Sequence, residues 1–208
     1  MSAPQTTAES KTTGWEPDLD CYEPSLQAAK VACAAFVADM ERGAAPYWLT
    51  LQGRFGCGKT YLMDQVFRQA KRINPGNPAN NPIWPPDWKV RRVEHMNIYD
   101  GRRPYALRYD EGGLASRMRN GDYTLPRSLG DDWFVAMDEL GVTRDPTNFV
   151  ADAMTTFCDI RLCRWTMIAT NLTLQEIAER MDARIASRIL RHENKLVSIA
   201  AGDYALRA

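Results

Sequence analysis

Tyr47-Trp-Leu-Thr-Leu-Gln-Gly-Arg-Phe-Gly-Cys-Gly-Lys-Thr60 decides the reading of this chain. Residues 47–52 are aromatic, branched and short, which suits a strand. They run into Gly53-x-x-x-x-Gly58-Lys59-Thr60, and a helix should follow, because Leu62, Met63, Val66, Phe67 and Ala70 recur at helical spacing. A glycine-rich turn between a strand and a helix is the pattern that cradles phosphate: glycines let backbone N–H groups point inward, and the helix adds its positive end. Lys59 should reach the β- and γ-phosphates and the Thr60 hydroxyl should ligate Mg²⁺. The remaining loop positions, Gly53, Arg54, Phe55, Gly56, Cys57 and Gly58, with Tyr61 just beyond, complete the expected nucleotide contact set.

Working outward, a first helix should begin near Pro24 and stop at Gly43, with Cys33, Phe36, Val37 and Met40 on its apolar face. Residues 1–20 read as a flexible Ser/Thr/Ala-rich tail, and residues 21–208 as one domain. Asn74 to Trp88, dense in Pro and Asn, reads as a surface loop. Val90 to Met96 reads as a second strand, Tyr99 to Gly113 as a polar insertion, and Leu114 to Asn120 as a short helix. Trp133 to Met137 is a buried strand. After it Asp145-Pro146 opens a helix with Val150, Met154, Phe157 and Cys158 in register. Trp165 to Thr170 is another strand, Thr173-x-x-Glu176 a capping box, Asp182 a cap for the next helix, and Lys195 to Ile199 a last strand. Alternating strands and helices imply an α/β domain with a mainly parallel sheet.

The chemistry sits at strand ends. Asp138 closes Trp133-Phe-Val-Ala-Met137 and is placed to hold Mg²⁺; Glu139, one residue on, is placed to polarise an attacking water. That adjacent Glu favours hydrolysis over transfer to a bound small molecule. Asn171 follows the next strand at its carboxyl edge, where α/β sheets bind ligands. Arg184 and Arg188, four apart, share a helix face, where they could form surface ion pairs or reach a neighbouring subunit's nucleotide.

These elements together resemble the AAA+ ATPases, specifically the DnaC/IstB-like branch of replicative-helicase loaders and transposition helpers. Three stretches carry the resemblance: Trp48 to Leu62, Phe134 to Val142, and above all Ala169-Thr-Asn-Leu-Thr-Leu-Gln-Glu-Ile-Ala-Glu-Arg-Met-Asp-Ala-Arg-Ile-Ala-Ser-Arg188. The resemblance implies a three-layer α/β/α P-loop NTPase domain with a five-stranded parallel sheet in the order 5-1-4-3-2 and no C-terminal helical lid. It implies ATP and Mg²⁺ as cofactors. Asn171 matches the sensor-1 position and Arg184 an arginine finger acting in trans, with Arg188 and Arg161 as secondary arginines. It also implies ATP-dependent homo-oligomers on single-stranded DNA, a replicative helicase or related DNA-processing protein as partner, and cytoplasmic residence, in a bacterial host for a phage or mobile-element version. A P-loop small-molecule kinase is the alternative of a different class.

Composition bounds these readings. The 208 residues carry 26 Lys+Arg and 26 Asp+Glu, so net charge is zero, which disfavours bulk polyanion binding by a monomer. The balance is uneven: residues 1–52 hold 3 basic and 7 acidic residues, residues 53–119 hold 13 and 6. The cationic stretch interleaves Arg91, Arg92, Arg102, Arg103 and Arg108 with Trp84, Trp88, Tyr99, Tyr105 and Tyr109, a composition suited to single strands. Five cysteines, without a C-x-x-C pair, give neither a disulfide framework nor a zinc site. Cys57 reads as a small loop residue, Cys158 and Cys163 as core, and the lone His95 and His192 lack ligand spacing. The longest apolar run, Val31 to Ala38, is too short to span a membrane.

Overall fold

The computed structural model of the chain describes residues 14–20, 22–73, 106–122, 129–130, 132–143, 147–191 and 193–206. Among these, five strands form one parallel sheet: β1 (Trp48–Gly53), β2 (Ala106–Asp110), β3 (Phe134–Leu140), β4 (Trp165–Thr170) and β5 (Lys195–Ile199). Their spatial order is β2-β3-β4-β1-β5, the expected order counted from the other edge. The helices are α1 (Pro24–Glu41), α2 (Lys59–Ile73), α3 (Glu111–Arg119), α4 (Phe149–Ile160), α5 (Leu174–Ile177) and α6 (Ala183–Ile189). A π-helical turn, Ala178–Asp182, links the last two.

Alternation along the strands splits the interior in two. Leu49, Leu51, Phe134, Ala136, Met167 and Ala169 face α1 and α2; Trp48, Val135, Met137 and Ile168 face α3, α4 and α6. The result is the three-layer α/β/α domain. Each fully buried large apolar side chain contributes about 1.5–3 kcal/mol. The α1 face is the expected one, with Cys33, Phe36, Val37 and Met40 all buried. Phe36, Tyr47 and Trp165 meet edge-to-face, with centroids 5.1–5.2 Å apart. Caps set the helix ends as the residue types require. Glu23 accepts from Ser25 N–H ahead of Pro24. Thr173 and Glu176 exchange both bonds of a capping box. Asp182 accepts from Arg184 N–H at 2.7 Å.

Three expectations change, and one falls outside the described residues. The strand next to β3 is Ala106–Asp110, inside the segment that reads as a polar insertion. The strand expected at 90–96, with Trp84, Trp88 and His95, lies outside the described residues, as does His192. The tail expected to be flexible through residue 20 is docked from residue 14: Trp15 and Leu19 pack on the core, Asp18 exchanges two hydrogen bonds with Gln65, and Glu16 pairs with Lys30. Cys163 is exposed in a left-handed turn (φ 55°), so only Cys158 of that pair is core. Among the described residues no helix is long and apolar enough to cross a membrane.

Candidate functional site

The turn between β1 and α2 bends at Gly56 (φ 72°) and Gly58 (φ 95°), values a side chain would strain. At Gly56 the space is closed as well: a Cβ there would collide with the Asp203 carboxylate. Tyr204 N–H donates to Gly56 O at 3.0 Å, and Tyr204 Oη donates to Asp20 O at 3.0 Å. Tyr22 Oη reaches Gly202 O at 3.4 Å and its ring stacks edge-on against Tyr204. Segments from both ends of the described chain therefore close around the loop.

Lys59 opens α2, nearly buried, with Nζ donating to Gly53 O at 2.8 Å and Arg54 O at 2.7 Å. Thr60 Oγ1 donates to Asp138 at 3.1 Å from Oδ2 and 3.3 Å from Oδ1. Asp138 is buried at the carboxyl end of β3, where the pairing with β4 slips between Met137 and Leu140. That bulge turns Glu139 outward at φ 58°, a left-handed conformation that costs a non-glycine residue about 1–3 kcal/mol and clusters at functional sites. Glu139 N–H donates to Asp138 Oδ1 at 3.0 Å. On the neighbouring strand, Thr170 Oγ1 donates to Leu140 O at 2.8 Å and accepts from Leu172 N–H at 3.0 Å, which fixes the turn presenting Asn171.

These groups converge on a cavity of about 680 Å³, within the usual size of small-molecule sites. Phe55, Gly56, Gly58, Lys59, Thr60, Tyr61, Asp138, Glu139 and Asn171 of the expected set line it. Gly53, Arg54 and Cys57 do not: the first two offer carbonyls to Lys59, and Cys57 is buried in the core. Its wall also carries Asp18, Asp20 and Asp64, so five carboxylates face one lysine. A polyanion entering such a wall needs further positive charge. The Thr60 hydroxyl and the Asp138 carboxylate supply adjacent hard oxygens that fit Mg²⁺, which binds through one or two carboxylates plus substrate phosphates.

Arg184 and Arg188 are not among the lining residues. Arg184, 61% exposed, is gripped by Asp182 at 2.7–3.0 Å, and this pairing holds the Asp182 carboxyl below its usual value. Arg188 pairs with Asp159 on α4. Arg161 requires a correction. It is fully buried beyond the amino end of β4, donating to the carbonyls of Leu129, Asp132, Trp133 and Trp165 and to Thr166 Oγ1, and burial pushes its pKa down to about 9. It is a structural hub, buried away from the cavity.

Sequence reading misses Glu111 altogether, and it places Arg108 in the cationic stretch rather than at this site. Glu111, buried at the start of α3, accepts from Gly141 N–H at 2.9 Å and Thr143 N–H at 2.8 Å, anchoring the loop after Glu139; burial raises its pKa in spite of these bonds. Arg108 of β2 donates to Asp138 Oδ2 at 2.6 Å and pairs with Asp64. A polar Asp110-Glu-Gly-Gly113 run after a strand was the only local signal for Glu111.

No protein-family model matches the chain, and a search of curated proteins finds no relative. Solved structures do match. The crystal structure of the DnaC helicase loader is similar at a TM-score of 0.61 and 20% identity, over 87% of this chain and 93% of that one. DnaI is similar at 0.60 and 17%, over 89% and 87%. A replication initiator DnaA bound to AMPPCP and single-stranded DNA is similar at 0.56 and 12%, over 82% and 46%. This chain shares the fold of these structures.

Proposed function

We propose that this chain is an ATP-binding and hydrolysing AAA+ protein of the helicase-loader type, acting in DNA replication and assembling with ATP on single-stranded DNA. One observation carries the reading. Thr60 and Asp138 touch directly beside Lys59, and Glu139 is turned by the β3 bulge into the same cavity. That is a phosphate cradle, a metal seat and a water-activating carboxylate in a single wall. The similarity to structures of helicase loaders and of a DNA-bound initiator supports the replication role.

In this reading Lys59 exchanges its bonds to the Gly53 and Arg54 carbonyls for β- and γ-phosphate oxygens. Thr60 and Asp138 hold Mg²⁺, which supplies charge neutralisation at the phosphates when bound. Glu139 takes the proton of the attacking water, and Asn171 orients that water from the end of β4. Arg184, on a face remote from its own cavity, completes the neighbouring subunit's site and stabilises the negative charge that develops in the transition state. Three arginines of the 53–119 stretch are engaged within the fold: Arg108 as above, Arg117 with Asp122, and Arg119 over the Phe149 ring.

The test is ATP turnover with and without single-stranded DNA, read beside the oligomeric state in a non-hydrolysable analogue. DNA-stimulated phosphate release and analogue-dependent assembly are the expected outcomes. A phosphorylated small-molecule acceptor formed at enzyme-like rates would replace this reading with a kinase.

A further inference from the structure

We infer that Arg108 is a resident counter-ion of the metal seat, which a divalent cation must displace from Asp138 before it can bind. The inference rests on the nucleotide reading above and adds a regulatory residue to it.

Arg108 stands on β2, whose register sets Asp110 opposite Asp138. Its planar fork bridges two elements: one nitrogen donates to Asp138 Oδ2 at 2.6 Å, and another pairs with Asp64 on α2. The Asp138 side chain is only 8% exposed, so this bond lies in a poorly solvated place where charge is strongly felt. Oδ2 is also the oxygen nearest Thr60 Oγ1, at 3.1 Å. The pair of oxygens best placed to ligate Mg²⁺ therefore already has a cation on it.

A guanidinium does not lose its proton under ordinary conditions, so it cannot yield by titration. Two cations sharing one carboxylate edge repel, so it must move. The route is built in. The Arg108 side chain is 32% exposed, and Asp64, 37% exposed, already holds its second nitrogen. Release of Asp138 leaves Arg108 paired with Asp64 at the cavity wall. Asp64 and Asp138 thus compete for one arginine, and their balance sets how readily the seat accepts metal.

The two carboxylates predict opposite signs, which makes the test sharp. A fluorescent ADP analogue is titrated into the full chain at increasing Mg²⁺ for the parent protein, Arg108→Gln, Arg108→Lys and Asp64→Asn, with melting curves confirming that each is folded. Arg108→Gln should lower the half-saturating Mg²⁺ by about five-fold, the scale of a partly exposed ion pair. Asp64→Asn should raise it, because Arg108 is then left to Asp138 alone. Arg108→Lys, with a point charge and no fork, should fall between Arg108→Gln and the parent. An unchanged or higher Mg²⁺ requirement in Arg108→Gln overturns the inference. So does loss of nucleotide binding in Arg108→Gln at saturating Mg²⁺, which would make the arginine a phosphate ligand. A parent protein that binds no nucleotide at any Mg²⁺ sinks the proposed function itself, and the inference with it.

Discussion

At the amino end of β4, Arg161 is sealed among four carbonyls and a hydroxyl; at the carboxyl end of the same sheet, Lys59 and Asp138 are almost as buried but face a cavity. Both ends hold charge in the protein interior. They differ in what satisfies it. Arg161 has acceptors fixed by the backbone of three segments, so nothing there can be exchanged. Lys59 rests on two loop carbonyls, and Asp138 on a hydroxyl and a partly exposed arginine fork, partners that a ligand can replace. A closed polar hub spends its interactions on stability, and an open one keeps them for binding.

The comparison breaks most visibly at the closed end. Arg161→Ala should cost about 3–5 kcal/mol, since it strands buried acceptors, and thermal or urea melts should show little folded protein. Melting close to the parent would mean that the hub is not what seals that end. Arg184→Ala should do the reverse. Its melting curve should stay near the parent, while turnover in the assembled state falls by about 10³-fold. Mixing it with Glu139→Gln subunits, in which the intact finger faces an intact site at some interfaces, should restore part of the rate. Glu139→Gln alone should keep nucleotide affinity and lose about 10²-fold in turnover, measured as phosphate release beside analogue binding. Lys59→Ala should weaken nucleotide binding by about 100-fold, the loss of charge-assisted bonds, without unfolding. The smallest effect belongs to Asp182→Ala, which removes the cap of α6 and costs about 1 kcal/mol by melting. Arg184 holds the Asp182 carboxyl below its ordinary 3.8. That increment is therefore present above pH about 4 and is lost as acid protonates the group, so parent and variant should converge at low pH.

Local signals explain what was legible beforehand. The loop at Gly53–Thr60, the Asp138-Glu139 pair and the Thr173–Glu176 box each declare themselves within a few residues; the first two meet at one cavity, and the third caps α5. β2 does not declare itself. Ala106-Leu-Arg-Tyr-Asp110 ends the sheet among the described residues, so its only large apolar residues are Leu107 and Tyr109, alternating with Ala106, Arg108 and Asp110. Arg161 shows the limit of resemblance: it names an arginine without saying whether water reaches it. The positions of Arg108 and Glu111 at the site were invisible for another reason. Their partners lie 30 or more positions away, at Asp138, Asp64, Gly141 and Thr143, and no periodicity within one element reports a pairing across two.

The clasp of Tyr22, Asp203 and Tyr204 over Gly56 bears on how the molecule is made. Its bonds join positions 180 and 184 apart. During synthesis the closing partners leave the ribosome roughly 150 residues after the phosphate loop, many seconds later at ordinary translation rates. β5, which flanks β1, arrives in the same late stretch. The loop is thus translated well before it is completed, and a nascent chain has no finished pocket with which to trap nucleotide before the rest of the sheet has formed.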